Sequence, residues 1–365
     1  MSRLVPCLAA VTAALTLVGP ALAADWTDNA FGSDSDLRSG FSEEDWANSD
    51  VGGPIDYQLG ARYWYSWGAQ SFGIGGGLPA LTENDNTHAA EIFGRVNDES
   101  TGYYAKAIGG LSFKTSGTYS GFDSGSLTGG YIGYAGADLG YSWLGNFKSP
   151  AQLGPFVGYM YWNDSPNAST TSGLNSFTTA TSAADIGYDP TTGATSFPGD
   201  STANKVEVNM LRVGLSGQAR LGSMVDLTGE VAAVPYANLH GVLGSVVGAP
   251  TYNPMLPGGI INVGGIQASP TSVDGWGYGA MAEAFVGFHP TDHINLKLGG
   301  RAWYLQGTAD TTFARATIGN PSDSDIANPP NYDTAPSFSR QDYITRQNPW
   351  SLFRYGLLTE FSYSF

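Results

Sequence analysis

The chain has 365 residues, including 50 Gly and 20 Tyr, but only 13% are charged, and its net charge is −16. Aromatic residues reach 13%, too many for a disordered chain, and the acidic balance argues against nucleic acid as a partner. Gly, Ser, Thr, Asn and Tyr displace the good helix formers, so an all-β protein is expected.

Residues 1–23 carry Arg3, an apolar run over 4–18 and Ala21-Leu22-Ala23, the pattern of a cleaved signal peptide. Cys7, the one cysteine, lies inside it, so the mature chain is expected to lack disulfides, thiolate chemistry and cysteine metal sites. Residues 24–53 hold eight acidic residues against Arg38 and read as a disordered, acidic periplasmic arm. The uncharged stretches 63–82 and 241–273 are rich in Gly and contain Pro, so neither reads as a transmembrane helix. An exported chain of this kind is either soluble or crosses a membrane as a closed β-barrel, here residues 54–365.

From residue 56 onward the apolar residues recur with period two. The first predicted strand sets Tyr57, Leu59, Ala61, Tyr63, Tyr65 and Trp67 against Asp56, Gln58, Arg62 and Ser66. A long connection over 69–87 follows, with Gly75-Gly76-Gly77 as a flexible tip and Glu83 and Asp85 close before His88. The second strand sets Ala90, Ile92 and Val96 against Glu91 and Arg95, and the short connection 98–101 leads to a third, with Tyr103, Ala105, Ala107 and Leu111 against Lys106 and Ser112. After the long connection 115–125 come Tyr131, Ala135, Ala137, Leu139, Tyr141 and Trp143 around Asp138, the short connection 145–151, and Leu153, Val157, Tyr159 and Tyr161 of a fifth strand.

Beyond the long connection 164–204, Leu211, Val213, Leu215, Ala219 and Leu221 alternate with Arg212, Ser216, Gln218 and Arg220. A short connection, 221–224, precedes Val225, Leu227, Val231 and Ala233 against Asp226, Thr228 and Glu230. The long connection 240–274 leads to an eighth strand, from Trp276 to Phe288 around Glu283. The short 289–293 leads to a ninth, in which Ile294, Leu296, Leu298, Ala302 and Tyr304 oppose Asn295, Lys297 and Arg301. After the long 311–348, the chain ends with Phe353, Tyr355, Leu357, Thr359, Phe361, Tyr363 and Phe365 against Arg354, Gly356 and Glu360.

Alternation over some 13 residues at the C-terminus is longer than a typical soluble strand of about 5–6 residues, and it indicates a membrane-crossing strand with its apolar side toward lipid. The predicted fold is an all-β, antiparallel, up-and-down transmembrane barrel of ten strands, with twelve also compatible. Short and long connections alternate strictly; with both termini in the periplasm, all five long ones face outward. Three exceed the usual loop length, so strands are expected to continue above the membrane or the loops to pack together.

Phe361, Tyr363 and the terminal Phe365 resemble the signal by which outer-membrane barrels are recognised, which implies the barrel-assembly machinery as a partner. Outer-membrane lipid and lipopolysaccharide are the other expected partners, with Lys114 and Lys205 at predicted outer strand ends near the phosphates.

The inward positions carry Arg62, Arg95, Lys106, Arg212, Arg220, Lys297, Arg301 and Arg354 against Asp56, Glu91, Asp138, Asp226, Glu230, Glu283 and Glu360. Near neutrality in a narrow space implies an ion-pair network, since an unpaired buried charge costs several kcal/mol. Trp64, Tyr134, Phe156, Trp162, Phe285 and Trp303 also point inward and reduce the free space further, so a closed lumen is expected.

Ten strands, five long outer connections, the stretch Gly214-Leu-Ser-Gly-Gln-Ala-Arg-Leu-Gly222, and a strand following His289-Pro-Thr-Asp-His293 resemble the omptin barrels of the Gram-negative outer membrane. That resemblance implies an endoprotease site in the outer loops, with an Asp-x-His dyad facing a pair of acids across a cleft to activate water. The residues depart from it: Asn238-Leu239-His240 has Asn where the dyad needs Asp, and the second long connection carries a lone Asp123. His289 and His293 fall in a predicted periplasmic turn.

No metal site, phosphate loop or nucleophile elbow is found, and no cofactor is expected; Asp323, Ser324 and Asp325 lack the Gly turn and terminal Glu of a calcium loop. The expectation is a non-enzymatic outer-membrane barrel with long extracellular loops and a structural or surface-interaction role, its extracellular ligand unknown. A small porin-like channel and an omptin-like protease are the alternatives.

Overall fold

A computed structural model describes residues 55–365 apart from 122–123, 146, 148, 169–175, 192–194, 202–203, 223, 246–250, 253–259, 262–265, 292 and 320–333. The signal peptide, the acidic arm, Asp123 and the Asp323-Ser324-Asp325 stretch lie outside the described residues. Ten long strands carry the fold: β1 (Ile55–Phe72), β2 (Leu81–Asp98), β3 (Tyr103–Ser120), β4 (Ser124–Tyr141), β5 (Ala151–Ala168), β6 (Lys205–Arg220), β7 (Val225–Leu243), β8 (Thr271–Phe288), β9 (Ile294–Ile318) and β10 (Phe338–Ser364).

Each strand pairs antiparallel with its neighbours in chain order, and β10 pairs with both β9 and β1, so the sheet closes into a ring. The closing seam runs from Gln58↔Ser364 to Phe72↔Trp350. At its lower end the Phe365 N–H donates to Tyr57 O at 2.9 Å, which ties the last residue to the first strand.

The period-two pattern works because successive side chains leave a strand on opposite faces. Leu59, Ile92, Leu139, Val157, Val213, Leu298 and Leu357 stand exposed on the outside, as an apolar band facing lipid requires. Aromatic residues border the band. Tyr103, Tyr141, Trp143 and Tyr363 lie toward the short turns, and Tyr63, Tyr159, Trp276, Tyr304 and Tyr355 toward the long connections. No helix among the described residues is long and apolar enough to cross a membrane.

Strands extend further toward the long-loop end than the apolar pattern suggests. β1 and β2 leave 73–80 between them, β3 and β4 only 121–123, and β9 and β10 rise together to Ile318 and Phe338. Above the lipid the outward positions meet water, so polar residues such as Asn84 and Asn86 replace apolar ones and the amphipathic signal fades while the pairing continues. Glu83, Asp85 and His88 therefore belong to β2, Asp164 to β5, Asn238-Leu239-His240 to β7 and Asp274 to β8; none of them lies in a loop.

The remaining long connections are partly structured. Ser176–Thr178 pairs with Gly199–Ser201, and Ile266–Gln267 extends the sheet beside β9. Ala180, Ile186, Ile266, Ala268, Ala314, Ala316 and Ile318 form a small apolar cluster with Phe197 and Phe338, which packs the third and fourth connections onto upper β9. In that cap the backbone and hydroxyl of Thr181, then the backbone of Ser182, donate to Asp185 and hold its carboxyl below the usual carboxylate range.

Glycine makes room inside. A Cβ on Gly158 of β5 would lie 1.8 Å from Asp138 Oδ1 and 2.8 Å from Ala137 O. A Cβ on Gly68 of β1 would lie 2.3 Å from Arg354 Nη2. Large charged side chains thus lie over bare backbone on the neighbouring strand, which explains part of the glycine excess. Gly158→Ala is expected to destabilise the barrel by about 1–3 kcal/mol through overpacking, measured as a lower urea midpoint in lipid vesicles; an unchanged midpoint would refute the packing argument.

Candidate functional site

The interior is organised in layers. At the short-turn end Asp226, wholly buried, takes hydrogen bonds from Gln218 (2.8 Å) and Thr228 (2.9 Å), lies 3.6 Å from Lys297 Nζ, and meets His289 Nε2 at 2.9 Å. Beside it, Arg95 donates to Asn97 and Asn97 to Asp56, and the Arg95 guanidinium lies over the Tyr104 ring. Arg220 reaches the Phe147 carbonyl at 3.4 Å. Asp56, Arg95 and Arg220 therefore do not join the ion-pair set among the described residues; neutral groups and rings satisfy them instead.

The middle layer is ionic. Arg62 Nε donates to Glu360 Oε2 at 2.6 Å, its neighbour across the β1–β10 seam, and Nη1 lies 3.3 Å from Glu283 on β8. Arg301 binds Glu91 of β2 through both terminal nitrogens, at 2.9 and 3.2 Å, and also binds Glu283. Arg212 pairs with Asp138 at 3.2 Å.

Glu230 and Glu283 are direct cross-strand partners, a like-charge arrangement that is destabilising alone. Lys106 resolves it by reaching across the lumen from β3 to Glu230 at 2.6 Å, with Glu283 at 4.0 Å. These bridges span strands that are far apart in the ring, so they cross the space a channel would need.

Above lies an aromatic layer. Trp64 of β1, Tyr134 of β4, Trp162 of β5 and Trp303 of β9 are all buried, and every pair among them is in ring contact, with centroids from 4.4 to 6.2 Å. The Arg301 guanidinium lies 5.0 Å from the Trp64 ring and 5.4 Å from the Trp303 ring, and Arg354 lies 5.8 Å from Trp162. Such contacts contribute about 2 kcal/mol or more where water is excluded.

Arg354 makes the next layer. It binds Asp85 of β2 through both terminal nitrogens, at 2.9 and 2.6 Å, Asp164 of β5 at 3.1 Å, and Ser66 at 3.1 Å. β10 and β5 stand opposite each other in the ring, so the Arg354–Asp164 bond spans the barrel. Beyond it Glu83 accepts from Asn204, and the mouth is filled by Phe72, Leu81, Leu127, Leu239, Leu243, Phe313 and Trp350, all buried.

The partners of Arg354 were hidden in what reads as loop sequence. The signal was nonetheless present: Glu83, Asp85, Thr87 and Ala89 continue the phase of inward Glu91.

Cavities of about 20 and 30 Å³ lie beside Lys106, Glu230 and Glu283, room for one or two waters.

No family model and no curated protein sequence matches the chain. Among solved structures, the outer membrane protease OmpT from Escherichia coli aligns with a TM-score of 0.51 at 14% identity, over 85% of this chain and 96% of that one. The translocator domain of the autotransporter NalP from Neisseria meningitidis aligns at 11% identity with a TM-score of 0.34, over 86% and 91% of the two chains. A Pseudomonas aeruginosa FadL homologue aligns at 10% and 0.28, over 86% and 90%. The fold is omptin-like.

In this omptin-like barrel none of the four histidines faces the interior at the long-loop end. His88 points outward from β2, hydrogen-bonded to Tyr63 OH at 2.6 Å and packed beside Tyr65 and Phe113. His240 also points outward, from β7, with Nδ1 2.5 Å from Asp274 Oδ1; the two side chains are 56% and 61% exposed. Ser272 donates to Asp274 at 3.1 Å, and the positional partner of His240 on β6 is Glu207, which accepts from Tyr161 and pairs with Lys205. This Asp–His pair lies on the exposed outer face of β7 and β8. His289 and His293 lie at the short-turn end, on Asp226 and the Ser364 carbonyl. No group of three or more His, Cys, Asp or Glu side chains among the described residues has the geometry to hold a metal ion.

Proposed function

We propose that the protein is an integral barrel of the bacterial outer membrane, exported by a cleaved signal peptide. In this reading its role is structural and surface-presenting rather than catalytic or conductive, and the long-loop end faces outside. The observation that carries it is the stacked obstruction of the lumen: transverse ion pairs at Lys106, Arg301 and Arg354 with the four-ring layer between them. Blocked in this way, the barrel holds its loops on a rigid base. Phe361, Tyr363 and Phe365 line the outer face of the closing strand, where the assembly machinery would read them, and Lys114 lies exposed near the outer rim for lipopolysaccharide phosphates.

Planar-bilayer recording tests the closed lumen. The full mature protein is expected to give no stable current steps, whereas steps that change in Arg212→Ala or Glu230→Ala would overturn the reading. The non-enzymatic part is tested with a peptide library and the barrel in lipopolysaccharide: no cleavage is expected, and reproducible cleavage lost in His240→Ala would refute it.

A further inference from the structure

The seam between β1 and β10 ends at Phe72↔Trp350, with one further backbone bond from Gly73 N to Pro349 O. Above that point β10 continues to Phe338, paired on one side with β9 up to Thr317↔Ser339 and Ile318↔Phe338. On its other side, residues 338–344 make no backbone hydrogen bond to any described residue. The tall β9–β10 hairpin therefore presents a strand edge at the long-loop end that is unpaired among the described residues, and such edges are templates for adding another strand.

The residues on this edge say which strand fits. Positions opposite Ala316, Ala314 and Thr312 form the outer row: Arg340, Asp342 and Ile344, with Phe338 at its top. Arg340, Asp342 and Ile344 are exposed, Ile344 at 62%, and neither Arg340 nor Asp342 has an ion-pair partner among the described residues.

Read in the opposite direction, this row complements itself. An antiparallel copy centred on Gln341 places Arg340 opposite Asp342 twice, while Phe338 stays packed against the chain's own cap cluster. Opposite charges facing across strands are a favourable combination. Neighbouring registers that keep both outer rows on one face fail: centring on Asp342 opposes it with itself, and centring on Tyr343 opposes Arg340 with Arg346.

We propose that the 338–344 edge of β10 binds the same edge of a second copy of this chain held in a facing membrane. The two-fold axis of antiparallel edge pairing is perpendicular to the sheet. On a barrel wall that direction is radial and lies in the plane of the membrane, so the rotation turns the second barrel upside down and makes the two bilayers parallel. Two copies in one membrane cannot pair in this way. The contact is isologous, residue i meeting j and j meeting i, and it joins surfaces rather than building an oligomer within one. This deepens the surface-presenting role proposed above and rests on it.

The test uses the full mature protein in lipid vesicles with the long-loop end outward, as checked by protease accessibility, and clustering followed by light scattering. Wild-type vesicles are expected to cluster. Asp342→Arg and Arg340→Asp should each reduce clustering to the level of empty vesicles, while the doubly exchanged variant recovers it. Mixing the two single-variant populations should also restore clustering, because one copy then presents arginine at both charged positions of the row and the other presents aspartate at both. This arm shows in addition that both variants are folded.

Absence of wild-type clustering, undiminished clustering in either single variant, or no recovery on mixing overturns the proposal. Conductance measured on the same preparations separates the two readings. Non-clustering vesicles that carry no current refute only the edge contact, whereas current steps refute the closed lumen whatever the scattering shows.

Discussion

Arg354→Met should destabilise the barrel by about 3–5 kcal/mol, because it leaves buried carboxylates without their cation. Asp85 loses a two-pronged partner and Asp164 its only ion-pair partner among the described residues, and all three side chains are essentially excluded from solvent. Urea titration in lipid vesicles, followed by tryptophan fluorescence, would measure the loss. The triple variant Arg354→Met, Asp85→Asn, Asp164→Asn should recover most of it, since a buried pair is often no more stable than neutral groups of similar volume. A single variant as stable as wild type would show that the upper lumen is wet and the charges solvated. Failure of the triple variant to recover would mean that Arg354 acts mainly through its contacts with Trp162 and Ser66.

Removing the aromatic layer should have a comparable energetic cost and a different readout. Trp303→Ala is expected to cost about 3–5 kcal/mol, as large-to-small changes at buried tryptophans do. Trp303 touches all three other rings and covers Arg301. Combined with Trp162→Ala, it removes the closest-packed pair of the layer, with centroids 4.4 Å apart. Polar groups lie on both sides, so water is expected to enter. The double variant should then give small current steps in planar bilayers where the wild type gives none. A folded but non-conducting double variant would show that the transverse ion pairs alone block the lumen.

Much of the fold was legible from alternation alone, because a strand between lipid and a polar interior must carry opposite chemistry at successive positions. Leu59 and Arg62, or Leu298 and Arg301, sort correctly without any structure. Strand ends were less legible. Above the lipid the outer face turns polar, so β2 reads as a loop through Glu83, Asp85 and Thr87 although its pairing with β1 is continuous and that with β3 is interrupted only by a bulge between His88 and Ala89. The two carboxylates that hold Arg354 were lost for the same reason, and with them the upper layer of the site. The Asp–His geometry at His240 was equally out of reach: a bulge on β7 between Val234 and Ala237 shifts the phase and turns His240 outward.

By itself the sequence determined the class of solution. Ten alternating segments joined by short and long connections, with apolar outer rows, can satisfy their backbone in lipid only as a closed barrel. It also determined that the interior would be charged and crowded by rings, but not that Glu83, Asp85 and Asp164 would add to its acids.

Only the tertiary structure decided which charge meets which. Lys106 with Glu230, Arg301 with Glu91 and Arg354 with Asp164 lie on strands far apart in the chain, and ring closure alone brings them face to face. Closure likewise ends the β1–β10 seam at Phe72↔Trp350 and leaves the top of β10 with an edge unpaired among the described residues. The physical reason is the same in both cases. Alternation specifies the face on which a side chain lies, whereas its partner across the lumen depends on register and strand length, which are set by pairing around the whole ring.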